Sequence, residues 1–172
     1  MQSSSFLLIF YGALFALAVA ELGRSWKKLF YDSYWEYNAW SMAFFFLAAF
    51  NWYEMQNRLE YLSTSFLSYL LLMIPPLLFY LLVSVFTPEK EENVKSHFFE
   101  NKKIIFILLA LFVLSNIIVA YFTNDSTLNV NLIRLIALML ALLSAFSNKI
   151  IFRILLLIYT IVGILITSIF QL

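Results

Sequence analysis

The stretch IIFILLALFVLSNIIVAYFTN, residues 104–124, contains no charged side chain and is long enough to cross a lipid bilayer as a helix. A helix spans about 30 Å of hydrocarbon with about 20 apolar residues, because each residue rises ~1.5 Å. Further uncharged intervals of comparable length are residues 1–20, 37–53, 61–88 and 154–172. Residues 128–146 are a sixth candidate span, which is interrupted only by Arg134.

These intervals predict an all-α fold, a polytopic transmembrane helical bundle that forms a single domain over residues 1–172. Of the 172 residues, 63% are hydrophobic and only 12% are charged, whereas about a quarter are charged in a soluble domain. A chain of this size cannot enclose so many apolar side chains in one soluble core. The continuous apolar runs favour helices over alternating membrane strands. The predicted transmembrane helices are 5–22, 37–57, 64–86, 104–123, 127–146 and 150–171.

The composition argues against several classes of function. The net charge of +1 and the lack of a basic tract argue against nucleic-acid binding. There is no cysteine, and the one histidine, His97, is expected to be exposed in a charged connection, so we expect neither a metal site nor a cofactor. Motifs of intramembrane proteases and hydrolases are missing, and enzyme activity is not expected unless Glu54, Glu21 and Arg134 support an unfamiliar reaction.

The distribution of lysine and arginine predicts the orientation in the membrane. Nine basic residues fall on one side of the predicted bundle: Arg24, Lys27, Lys28, Lys90, Lys95, Lys102, Lys103, Lys149 and Arg153. Arg58 is alone on the opposite side, so the positive-inside rule places both termini outside. Residues 18–20 resemble a signal-peptide cleavage site, but residues 1–5 contain no basic residue, so we expect the first helix to be retained.

An aromatic segment, RSWKKLFYDSYWEYNAW, residues 24–40, connects the first two predicted helices. Its tryptophans, Trp26, Trp35 and Trp40, are predicted to be interfacial anchors, because indole rings prefer the headgroup layer of a membrane. An interfacial helix fits this composition. The alternative is a platform for a partner protein or for lipid headgroups.

Two adjacent prolines, Pro75 and Pro76, lie in the middle of the third apolar run. Proline removes a backbone donor and clashes with the preceding turn, so this pair predicts a break or kink in the helix. Such a kink either serves packing alone or frees carbonyl groups that bind an ion.

Polar residues inside the predicted spans converge on the outer half of the membrane: Asn51, Glu54, Asn116, Asn131 and Arg134. A buried arginine is costly in hydrocarbon, so we expect Arg134 to be paired, with Glu54 as the carboxylate at matching depth. This outer polar cluster is interpreted in two ways. It either holds the helices in register or forms a small cavity that binds an anion or a polar solute through Arg134.

The order of features resembles a group of small multi-pass inner-membrane proteins of bacteria. The resemblance is carried by Glu21-Leu22-Gly23 at the end of the first helix, HFFENKK at residues 97–103 and Asn131-Leu132-Ile133-Arg134. It implies a location in the bacterial inner membrane and carries no activity with it.

Two functions are expected on these grounds. The first is an interaction, structural or regulatory membrane subunit, which is favoured because the polar residues lie in one leaflet only. The alternative is a small oligomeric channel or transporter with an outward-facing pocket around Arg134. The expected partners are the lipid bilayer and either a second copy of the chain or another membrane protein.

Overall fold

In the computed structural model of this protein, the backbone is described for residues 2–29, 34–58, 66–89, 93–123 and 128–170. Side chains are described for residues 8–24, 34–54, 66–89, 93–123 and 130–167. Within these ranges the chain is helical and contains no strand. The helices are α1 (Gln2–Leu29), α2 (Trp35–Arg58), α3 (Phe66–Phe86), α4 (Val94–Thr123), α5 (Leu128–Phe146) and α6 (Ile150–Phe170).

The all-α prediction is confirmed, and three segments are long and apolar enough to cross a membrane. They are Phe66–Phe86, Val94–Thr123 and Ile150–Thr167. In α5 the apolar part, Val130–Phe146, is shorter. Most helix ends lie within a few residues of the predicted ends. The exceptions are the C-terminal end of α1 and the N-terminal end of α4, where the helix continues through charged residues.

The early start of α4 has a local cause. The side-chain Oδ1 of Asn93 accepts hydrogen bonds from the backbone N–H groups of Lys95 at 3.0 Å and Ser96 at 3.1 Å, which is the geometry of an N-cap. His97 therefore lies in the first turns of a helix and not in a connection. Its Nε2 is 2.9 Å from the carbonyl oxygen of Val85, and its side chain is half-buried. The expectation of an exposed histidine was wrong.

The third helix is not broken at its two prolines, whereas the predicted kink stays a prediction. α3 runs as one helix from Phe66 to Phe86 and includes Pro75 and Pro76, which are both buried. Neighbouring helices can support proline within a transmembrane helix by packing against it. Pro75 and Pro76 therefore belong to the packed interior of the bundle.

The six helices form a closed ring. The principal contacts follow the order α1, α2, α6, α5, α4, α3 and back to α1, and α2 also contacts α4 across the ring. This crossing contact divides the bundle into two halves. We call the half between α1, α2, α4 and α3 the aromatic half, and the half between α2, α6, α5 and α4 the polar half.

Stacked and edge-to-face rings fill the aromatic half. Tyr37 stacks on Phe86 with ring centroids 4.3 Å apart, and Phe44 meets Phe86 edge-to-face at 4.9 Å. Trp40 is only 1% exposed and packs against Phe106 at 5.1 Å. Such aromatic pairs add to the stability gained from the buried apolar area.

This packing corrects the prediction for Trp40, one of the three tryptophans expected to be interfacial anchors. Trp40 belongs to the core, whereas Trp35 at the start of α2 is 52% exposed. The side chain of Trp26 lies outside the described residues. A separate interfacial helix is not formed by residues 24–29, which belong to α1, or by residues 35–40, which belong to α2.

Large apolar side chains cover the outside of all six helices. Examples, one from each helix in chain order, are Leu17, Phe46, Leu81, Leu111, Met139 and Ile158, all of them exposed. A soluble protein rarely exposes contiguous apolar surface on this scale, whereas lipid chains would cover it.

Candidate functional site

A cavity of about 120 Å³ lies in the polar half of the bundle. All four helices of that half contribute to its wall. Its polar lining residues are Asn51, Glu54, Asn116, Arg134, Tyr159, Thr160 and Thr167, and its largest apolar ones are Leu47, Phe50, Leu109, Phe112, Ile133, Leu156 and Ile164.

The structure brings most of the predicted outer polar cluster together at this cavity. Asn51 and Glu54 from α2, Asn116 from α4 and Arg134 from α5 all line it. Asn131 is half-buried, three residues before Arg134 on α5, and is not among the lining side chains. The direct ion pair between Glu54 and Arg134 stays a prediction.

The two lining asparagines are oriented by their own helices. Nδ2 of Asn51 donates to the carbonyl oxygen of Leu47 at 2.8 Å, and Nδ2 of Asn116 donates to that of Phe112 at 3.1 Å. Each bond reaches back one helical turn. These amide groups are thus held at the wall by short local bonds.

The cavity has its two charged side chains near one end, and most of its remaining wall is apolar. Its lining on α6 extends from Leu156 to Thr167, a rise of about 16 Å. The two charged side chains, Glu54 and Arg134, are close to the helix ends at Arg58 and Leu128. Leu109 and Leu156 line the opposite end, which we call the floor. An amphipathic molecule would match this arrangement, because its charged groups and its apolar body would each meet a similar surface.

A second polar feature lies beyond the floor, where α2 and α6 begin. Nε of Arg153 donates to Oε1 of Glu36, and its Nη2 donates to Oε2 at 3.3 Å. Both side chains are almost fully buried, with exposed fractions of 3% for Arg153 and 1% for Glu36. Removing one partner of such a pair typically costs about 3 to 5 kcal/mol, because the other charge is left without compensation.

Two aromatic residues complete the surroundings of this buried ion pair. The hydroxyl of Tyr34 donates to Oε2 of Glu36 at 2.6 Å, and the Arg153 guanidinium lies 5.8 Å from the ring centroid of Phe99. Burial, the hydrogen bond to Glu36 and the charge of that carboxylate raise the pKa of Tyr34 well above its ordinary value, although Arg153 opposes this. Tyr34 is therefore a stable donor near neutral pH.

Arg153 corrects one element of the orientation argument. It is buried in the first turns of α6 and paired with Glu36, so it does not act as a basic residue flanking a span. Eight basic residues then remain on that side against Arg58 alone. The predicted orientation is unchanged.

The comparisons with known proteins return no relative. No protein-family model matches the chain, and no curated protein or solved structure is significantly similar to it.

Proposed function

We propose that this chain is a six-span membrane protein that binds a small amphipathic solute in the cavity of its polar half. The single observation that carries the proposal is that one cavity combines Arg134 and Glu54 near one end with a mostly apolar remaining wall. Ligand sites in proteins are commonly mostly apolar clefts with a few polar groups that fix orientation.

Membrane insertion of all six helices is part of the same proposal. α1, α2 and α5 pack beside the three helices that are long and apolar enough to span a membrane. They also expose large apolar side chains of their own. The positive-inside rule supports placing both termini outside, and the resemblance given above supports the bacterial inner membrane.

The charges of the cavity indicate the class of solute. Arg134 and Glu54 have opposite charges, so a purely anionic ligand would gain at the first and be repelled at the second. A zwitterion with an apolar chain can complement both charges and also cover Leu109, Phe112 and Leu156. We therefore propose an apolar amino acid or a molecule of similar chemistry.

The first prediction is a ranking of ligands with closely matched chains. In lipid nanodiscs, we expect norleucine to raise the Tm more than hexanoate, hexylamine or hexanol, because only norleucine carries both charges. Saturation at about 100 times Kd would stabilise the fold by ~2.7 kcal/mol. In the Arg134→Gln variant, the carboxylate of norleucine should no longer add to the rise in Tm. In the Glu54→Gln variant, its ammonium group should no longer add to it.

Arg24→Gln is the matched control, because Arg24 is exposed and pairs with Glu21 on the surface of α1. It should leave the ranking unchanged. Equal stabilisation by hexanol would show that the cavity recognises only apolar bulk. No stabilisation by any of the four ligands would favour the other function, an interaction or regulatory subunit.

A further inference from the structure

We propose that the cavity is one part of a translocation route through the polar half, and that the Glu36–Arg153 pair is the gate at the other end. This inference rests on the solute-binding function proposed above and adds transport to it. It assigns a role to a buried ion pair that solute binding does not need.

Helix geometry aligns the gate with the cavity. Glu36 and Glu54 are 18 residues apart in α2, which is five turns of about 3.6 residues, so they share one face of the helix. Arg153, Thr160 and Thr167 follow one another at intervals of seven in α6 and also share a face. Glu54, Thr160 and Thr167 line the cavity, and therefore the same two helix faces carry both features.

The barrier between the two features is thin along α6 but longer along α2, where eleven residues, a rise of about 16 Å, separate Glu36 from the lining residue Leu47. Leu156 lines the cavity floor and is one turn from Arg153, a rise of about 4.5 Å. On the gate side of the floor, α5 contributes small buried side chains, namely Ala141, Ser144 and Ala145. Connecting the cavity with the opposite face of the bundle would therefore require α2 to move away from α6 between Glu36 and Leu47 as well as at the ion pair.

The chemistry of the pair suits a contact that opens and closes. An apolar pair would hold two helices together at least as well, because burying two charges costs desolvation energy. A separated carboxylate and guanidinium can each be hydrated, whereas separated apolar side chains cannot. At the same end of the bundle, Lys102 of α4 contacts the turn before α6, because its Nζ donates to Oδ1 of Asn148 at 3.0 Å.

The experiment uses the full chain, which has no native cysteine. Thr160→Cys places a single thiol in the cavity, and a charged, membrane-impermeant methanethiosulfonate is applied to proteoliposomes from one side at a time. With the gate intact, we expect labelling to be much slower from the Lys149 side than from the Glu54 side. Glu36→Gln should make labelling from the Lys149 side about tenfold faster, equivalent to ~1.4 kcal/mol in the closed–open equilibrium.

Three further variants make the test decisive. Glu100→Gln is the matched control, because this exposed carboxylate bonds Ser96 near the same end of the bundle, and it should not change labelling. Glu36→Leu combined with Arg153→Met should keep the gate shut. Tyr34→Phe weakens the pair without leaving an uncompensated charge and should give an intermediate rate, which keeps the test valid if Glu36→Gln does not fold.

The gate would be overturned if a folded Glu36→Gln or Tyr34→Phe protein were labelled from the Lys149 side no faster than the parent protein. If norleucine nevertheless binds, the cavity is a closed binding site and the function proposed above survives without transport. If Glu36→Gln and Tyr34→Phe speed up labelling from the Lys149 side while none of the four ligands binds, the gate stands and the proposed class of solute is wrong.

Discussion

Tyr34 offers the sharpest test of the ion pair at the scale of a single residue. Its pKa is raised above the ordinary value of 10.0, mainly by burial and then by the hydrogen bond to Glu36. The folded protein therefore keeps this phenol protonated at a pH where the unfolded chain has already lost the proton. The stability linked to Tyr34 is complete below about pH 10 and falls as the pH rises further.

We expect the Tm of the parent protein to fall more steeply above about pH 10 than that of Tyr34→Phe, which has no phenol to titrate. Measuring Tm against pH for both proteins in the same nanodiscs checks this. Tyr53→Phe serves as the control, because the Tyr53 side chain is exposed. Parallel curves for the parent and Tyr34→Phe would show that the Tyr34 phenol has an ordinary environment.

Single residues also show which parts of the candidate site could be predicted from the sequence and which could not. Asn51, Glu54, Asn116 and Arg134 interrupt apolar runs, and the helical rise gives their depth, so their meeting at one cavity could be predicted. Glu36 and Arg153 are at the edges of apolar runs, where a charge is usually solvated. Their contact joins residues 117 positions apart, which only the packing of α2 on α6 determines. One signal in the sequence was the 18-residue spacing of Glu36 and Glu54, which places the two carboxylates on the same face of α2.

At the scale of helices, the number and approximate positions followed from the uncharged intervals. The N-terminal end of α4 did not, because helix formation there depends on the Asn93 cap and on the bond between His97 and Val85. Trp40 was misplaced for a related reason. Its preference for an interface is weaker than the packing it gains against Phe106 once α2 and α4 cross.

The contact between α1 and α2 depends on a glycine. A Cβ atom at Gly12 would lie 3.0 Å from Cη2 of Trp52, whereas a Cβ atom at Gly23 would meet nothing within 4 Å. We expect Gly12→Leu to destabilise the protein by about 1 to 3 kcal/mol, because overpacking forces the two helices apart. Gly23→Leu, the matched control in the same helix, should be neutral or stabilising. Equal Tm values for the two variants would contradict this close approach of α1 and α2.

At the scale of the whole molecule, the ring of contacts supports the proposal that all six helices cross the same membrane. Within the described residues, α3, α4 and α6 are each long and apolar enough to span, and α1 packs on α3, α2 on α6, and α5 on both α4 and α6. Helices that run beside spanning neighbours and expose apolar side chains have little alternative to crossing with them, because an incomplete crossing would leave apolar surface in water.

If all six helices cross, the two ends of the bundle face opposite sides of the membrane. In intact bacterial cells that express single-cysteine variants, Asn57→Cys near the end of α2 should react with an impermeant maleimide. Ser96→Cys at the start of α4 should react only after the cells are permeabilised. An odd number of crossings, here α3 alone, separates these positions, and eight basic residues against one place Ser96 inside. Reaction of both cysteines from one side would mean that α3 does not cross the membrane. The two ends of the bundle would then face the same side, and the polar half could not connect opposite sides of the membrane.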